Sequence, residues 1–115
     1  MNKFNSSRDI SKVHIHHTYL PEHSDFNGSN HIKLFNGIKN YHIQTNGWYD
    51  IGYHFIIFPD GQIMAGRDID RAPASAAGFN TGAIAIACIG NFDKGHDHIT
   101  ASQLIALVYT IIMIL

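Results

Sequence analysis

Ala83-Ile84-Ala85-Ile86-Ala87-Cys88-Ile89-Gly90 is an unbroken apolar run with no charge and no proline. Apolar stretches of this length mark strands covered on both faces, so this one predicts the centre of a sheet. Working outward from it, Lys12 to Thr18 alternates, with Val13, Ile15 and His17 on one face and His14, His16 and Thr18 on the other. That period of two predicts a strand carrying histidines on both sides. Ile51 to Phe58 is β-rich, Pro59-Asp60-Gly61 is a turn, and Gln62 to Gly66 returns as the second arm of a hairpin. Between the first strand and the hairpin, Ile32, Phe35, Ile38 and Tyr41 or His42 recur at helical spacing. Ser29 or Asn30 is placed to cap that helix, which runs to about Gln44, and Asn46-Gly47 closes it. Asp68 to Thr81, rich in Ala, Gly and Pro, predicts irregular surface.

After the polar loop Asn91 to His98, Ile99-Thr100-Ala101-Ser102-Gln103-Leu104 has the form of a helix start. Thr100 is the N-cap, Gln103 its capping-box partner, and Ile99 and Leu104 the hydrophobic staple. The helix then runs apolar on most faces to Leu115 without a glycine cap or a basic last turn. The order strand, helix, hairpin, strand, helix predicts an α/β fold with a mixed central β-sheet flanked by α-helices. The division expected is an N-terminal extension over 1–11 and one domain over 12–115.

Composition bounds the function. In 115 residues, Lys plus Arg is 8 and Asp plus Glu is 9, a net charge of −1. No basic excess exists to neutralise phosphates, so nucleic acid is not an expected partner. The single cysteine, Cys88, excludes an internal disulfide framework and reads as a buried small hydrophobe. Residues Met1 to Asp9 lack a basic start and an apolar run, and Leu104 to Leu115 is shorter than the roughly 20 residues a membrane span needs. The expectation is a protein made in the cytoplasm without a leader and with no membrane partner. The unusual feature is histidine, 9 in all and clustered, which points toward metal or acid–base chemistry.

Several strings then form an ordered set: Ile15-His16-His17-Thr18, Asn46-Gly47-Trp48-Tyr49-Asp50-Ile51-Gly52-Tyr53-His54-Phe55, Pro59-Asp60-Gly61, Gly66-Arg67, Gly78-Phe79-Asn80 and Ile89-Gly90-Asn91-Phe92. Together, over Lys12 to Leu115, the sequence resembles the zinc-dependent N-acetylmuramoyl-L-alanine amidases. These are phage endolysins and bacterial wall amidases whose fold is shared by animal peptidoglycan recognition proteins. The resemblance implies a bacteriolytic hydrolase of phage or prophage type, acting at the cell wall on peptidoglycan. Its bond would be the amide between the lactyl group of N-acetylmuramic acid and L-alanine. By position, His16 matches the first zinc ligand and Tyr53 the tyrosine beside the metal. Zinc would polarise the carbonyl and lower the pKa of its water toward ~7, and the phenol would donate to the developing oxyanion. Trp48, Arg67, Asn80 and Thr81 are the candidates for lining the substrate cleft, Arg67 because its fork suits carboxylates.

The departures carry expectations of their own. The resemblance places two more zinc ligands after the last helix, and this sequence stops at Leu115. A catalytic zinc wants three protein ligands and an open position. The 115-residue chain is therefore expected to bind zinc weakly and to hydrolyse little alone. Ser75 stands where many relatives place a histidine. The alternative is a module that binds muropeptide without cutting it, and a homodimer through an exposed last helix would be a further partner. His14 and His17 read as packing or supporting residues, His54 as structural, and Gly95-His96-Asp97-His98 as a solvated loop. A two-histidine phosphoesterase is set aside, because no second His-x-Thr exists to match His16-His17-Thr18.

Overall fold

A computed structural model of the protein describes residues 8–115. Of the expected extension over 1–11, residues 1–7 lie outside the described residues. Four strands form one sheet: β1 (Lys12–His17), β2 (Phe55–Ile57), β3 (Ile63–Ala65) and β4 (Ala83–Cys88), in the order β1-β4-β2-β3. β4 pairs in parallel with both β1 and β2, while β2 and β3 form the antiparallel hairpin. The apolar run therefore sits between two partners, and all of β4 is buried. This is the mixed sheet the sequence predicts.

Register decides which side chains share a face. His14 lies opposite Ala85 and His16 opposite Ala87, whereas Val13, Ile15 and His17 lie opposite Ile84, Ile86 and Cys88. The isoleucine face of β4 packs with Ile57, Val13 and Phe55 against helix α2 (Ala101–Ile114), through Ala106, Leu107 and Ile114. The opposite face carries only methyl groups from β4 where His14 and His16 lie. Beyond them on that side, Ile51, Ile56, Phe58 and Ile89 pack against Ile38, Leu34 and Phe35 of helix α1 (His31–Asn40). Two cores thus lie on either side of one sheet.

Three local outcomes differ from the sequence pattern. The helix expected to run to about Gln44 is regular only to Asn40, and Tyr41–Thr45 forms a wider π turn closed by Asn46 N–H donating to the Tyr41 carbonyl (3.2 Å). Asn30 stands at the cap position of α1, but its side chain turns back, accepting from the Asn27 N–H and donating to the Asp25 carbonyl. Only Phe55–Ile57 of the β-rich Ile51 to Phe58 is strand, because Gly52 and Tyr53 pair instead with His42, Ala74 and Arg67.

The start of α2 follows the sequence closely. Gln103 N–H donates to Thr100 Oγ1 (2.9 Å) and Thr100 N–H to Gln103 Oε1 (3.2 Å), a complete capping box. Gln103 is fully buried, and its Nε2 also donates to the Ile89 (2.8 Å) and Ile57 (3.3 Å) carbonyls. One amide therefore ties the helix cap to the ends of two strands. Among the described residues, no helix is long and apolar enough to cross a membrane.

Replacing Gln103 by Leu removes the donor to the buried Ile89 carbonyl and breaks the box, while the Ile57 carbonyl keeps the Ile89 N–H (2.9 Å). Urea denaturation should register a loss of about 2–4 kcal/mol for Gln103→Leu, against about 1 kcal/mol for Thr100→Ala. Equal, sub-kilocalorie losses would mean that the strand-end contacts contribute nothing.

Candidate functional site

The alanine face of the sheet leaves space that aromatic and imidazole rings fill. His14 and His16 meet edge to face with centroids 5.9 Å apart, and the His16 ring lies 6.0 Å from that of Tyr53. Behind Tyr53 stands His42, at 5.2 Å, and behind His42 the indole of Trp48, at 4.7 Å. On the other side, His14 Nδ1 reaches Ser75 Oγ at 3.4 Å, a long contact. The cluster runs from the edge strand β1 across to the turn that follows α1.

Local sequence explains how Tyr53 is aimed. The π turn carries His42 into the interior, where its Nδ1 accepts the Gly52 N–H (2.8 Å). Gly52 admits no side chain: a Cβ there would stand 2.3 Å from the Ala74 carbonyl oxygen and 2.9 Å from the Trp48 ring. The same Ala74 donates its N–H to the Gly52 carbonyl (3.1 Å). Tyr53 is thus held between a helix exit and the 68–81 loop rather than by a strand ladder. Sequence reading placed His42 only as a helical repeat position. Its signal was a histidine ten residues ahead of a glycine in the Asn46 to Phe55 string, visible only once the fold joins them.

Arg67 requires a correction. It is only 6% exposed, and its guanidinium donates to the carbonyls of Ile51 (2.8 Å), Ala72 (3.0 Å) and Asp50 (3.1 Å). Tyr49 covers it, with the ring centroid 4.3 Å from Cζ. Three carbonyls and a ring leave no fork for a substrate carboxylate; Arg67 fastens the Asp50–Ile51 backbone to the 68–81 loop. Asn80 does similar work, its Oδ1 accepting from the Ser75 (3.1 Å) and Ala76 (3.0 Å) N–H groups. Thr81 is exposed in the turn before β4, and Trp48 is half-buried against His42 and Gly52. The structure therefore gathers His16, Tyr53 and Trp48 into one cluster, with Asn80 supporting its Ser75 end.

Electrostatics favours neutral rings here. Burial, reinforced by His14 and His17, lowers the pKa of His16, and burial with Arg67 lowers that of His42. Burial raises the pKa of Tyr53, so its phenol stays protonated and able to donate at neutral pH. His54, nearly fully buried, accepts the Ala85 N–H at Nδ1 (3.0 Å) and donates from Nε2 to the Arg71 carbonyl (2.8 Å). That pattern requires the neutral tautomer, and burial holds its pKa down. Cys88, buried on the opposite face, has its thiol pushed up to about 11 by burial and is no nucleophile at neutral pH.

Does this donor set suit a metal? His16 Nε2 is buried and has no hydrogen-bond partner, and its ring is held neutral, as a ligand nitrogen must be. Yet among the described residues no group of three His, Cys, Asp or Glu side chains converges closely enough to hold an ion. His16 fits the role of one donor, but the described residues do not close a zinc site.

The comparisons with known proteins agree with the geometry. The family model described as N-acetylmuramoyl-L-alanine amidase matches residues 6–114. The endolysin of Klebsiella phage KP32 is 38% identical over 73 residues, which cover 61% of this chain and 48% of the endolysin. Among solved structures, the Apis mellifera protein PGRP-SA superposes with a TM-score of 0.79 at 35% identity, covering 90% of this chain and 61% of that one. The N-acetylmuramoyl-L-alanine amidase LysC from Clostridium intestinale gives 0.72 at 31%, covering 90% and 60%. The chain thus spans about half of the phage relative and about three-fifths of the solved chains.

Three histidines held neutral by burial set the acid response. Their folded pKa values lie below the ordinary 6.5, so as pH falls through about 6.5 the unfolded chain takes up protons that the folded chain does not. Their contribution is nil above that value and destabilising below it. Urea midpoints measured from pH 8 to pH 5 should show this loss, and His42→Gln should flatten the slope by at most about one proton. An unchanged slope in that variant would contradict a buried neutral His42.

Proposed function

The chain belongs to the N-acetylmuramoyl-L-alanine amidase family, and from that premise we propose that it is the muramyl-peptide-engaging part of a peptidoglycan amidase acting at the cell wall. The observation that carries the reading is the placement of His16 beside Tyr53 on the alanine face of the sheet, with His16 Nε2 buried and unpaired. In this reading the lactyl–L-alanine amide lies over that pair. The Tyr53 phenol, kept protonated by burial, donates to the carbonyl oxygen and strengthens that bond as charge develops there. His42 holds Gly52, and through it the Tyr53 backbone, in place. Trp48 offers the partly exposed ring against which a sugar or peptide stem rests. Hydrolysis by the family chemistry needs donors beyond His16.

A second reading is favoured by that incomplete donor set: a module that recognises muropeptide without cutting it. The two are separated by one set of measurements on the 115-residue chain. Calorimetric titration with muramyl dipeptide, which contains the lactyl–L-alanine amide, should give saturable binding. Tyr53→Phe should weaken it about 2- to 10-fold, the size of one lost hydrogen bond. A folded chain that does not bind, or binds equally well in Tyr53→Phe and His16→Ala, would overturn the proposal. Zinc per chain after dialysis, and release of L-alanine amino termini from cell wall, then decide the class. Near one zinc with release selects the hydrolase, while binding with neither selects the recognition module.

A further inference from the structure

His14 and His16 stand two residues apart on one face of β1, each opposite an alanine of β4, Ala85 and Ala87. Their ring centroids are 5.9 Å apart. An ion about 2.0–2.1 Å from one nitrogen of each ring sets two imidazole centroids roughly 5–6.5 Å apart, so the rings already stand at that separation. Turning about the soft χ2 torsion aims the nitrogens without moving the backbone. His16 Nε2 is buried and has no hydrogen-bond partner among the described residues. Hydrogen bonds decide which nitrogen of His14 is free. Asn80 Oδ1 accepts the N–H groups of Ser75 (3.1 Å) and Ala76 (3.0 Å), which identifies that atom as the oxygen. An amide oxygen only accepts, so the Ser75 hydroxyl, 3.4 Å away, donates to it. The Ser75 oxygen then offers its lone pairs to His14 Nδ1, also at 3.4 Å, and Nδ1 carries the hydrogen. His14 Nε2 is left with the lone pair that a metal takes. A ligand histidine whose other nitrogen donates to a fixed oxygen is the usual arrangement around metals.

We propose that His14 and His16 together form a two-imidazole site for a divalent cation of the zinc, nickel or copper class, with Ser75 and Asn80 orienting His14. Imidazole suits these ions, whereas magnesium and calcium take oxygen. No third His, Cys, Asp or Glu among the described residues joins the pair, so water fills the remaining positions. Two donors correspond to a dissociation constant on the order of 1–100 μM, far weaker than a closed four-ligand site. Both histidines lie on one strand, so the pair draws on nothing beyond Leu115. The proposal rests on the amidase reading for His16 as a donor and adds His14 to it. The competing place for an ion is the loop before α2, where His96 and His98 are exposed and His96 Nδ1 meets Glu22 Oε1 at 3.1 Å.

Calorimetric titration of the metal-free 115-residue chain with zinc chloride at neutral pH tests it. His14→Ala and His16→Ala should each weaken binding at least about 10-fold, while His96→Ala combined with His98→Ala should leave it unchanged. Ser75→Ala should weaken it by up to about 10-fold, and Ser75→Thr, which keeps the hydroxyl, should restore it. Ring-nitrogen NMR of the unsubstituted chain serves where a variant fails to fold. It should show His14 protonated at Nδ1, and zinc should shift Nε2 of His14 and His16 together. Muramyl dipeptide is titrated into the same metal-free samples. A chain that binds the dipeptide but no zinc overturns this site and leaves the amidase reading standing, whereas zinc binding that depends on His14 without dipeptide binding supports the site and fails only that reading. Zinc affinity unchanged in folded His14→Ala, affinity lost with His96 and His98, or an NMR shift confined to His16 would overturn the proposal.

Discussion

The structure depends on one constraint, the alternation of isoleucine and alanine along β4. As the strand paired on both sides, β4 must be covered on both faces, and its two sets of side chains differ in size. Ile84 and Ile86 supply the volume that α2 packs against, giving the apolar burial from which most of the stability comes. Ala85 and Ala87 supply space. Because β1 pairs in register with these positions, the space opens where His14 and His16 project. Larger residues at either alanine would push into the rings, and overpacking of that kind carries a cost as real as a cavity.

The same face shows why the site is built on irregular backbone. A strand ladder fixes side chains at a set spacing, but Tyr53 must approach His16 from outside the ladder. The chain achieves this with polar groups that hold the backbone where strands do not. His42 takes the Gly52 N–H, Arg67 takes three carbonyls, and His54 bridges β4 to the loop after Arg71. Each is buried with its donors or acceptors met, so each adds rigidity rather than leaving an unpaired group. The wider turn at Tyr41–Thr45 belongs with them, since it swings His42 inward.

What the sequence makes legible follows from range. The period of two in Lys12 to Thr18, the apolar run of β4 and the Thr100–Gln103 box are all local, and each reappears in the fold. His16 and Tyr53 were reachable because their strings resemble a family. Their adjacency is a property of the fold, and so is the burial of His16 Nε2 without a hydrogen-bond partner. Arg67 was misjudged for the same reason. A lone arginine after a glycine gives no local sign that three carbonyls, two from residues 16 or 17 positions earlier in the chain, will converge on it. His42 escaped notice because helical spacing explains it well enough until the helix widens beneath it.

Burial gives the two halves of the molecule a common electrostatic logic. A histidine that is to donate a lone pair must be neutral, and on this face neutrality comes from packing rather than from a partner carboxylate. The environment that readies His16 is the one that penalises its protonation, along with that of His42 and His54. A neutral His16 ring and sensitivity to acid are therefore one property of the fold. Opening the face to water would relax the acid sensitivity and, in the same step, release the constraint that keeps His16 and Tyr53 ring to ring. A shielded, neutral face thus comes with three histidines that destabilise the folded chain as pH falls through about 6.5.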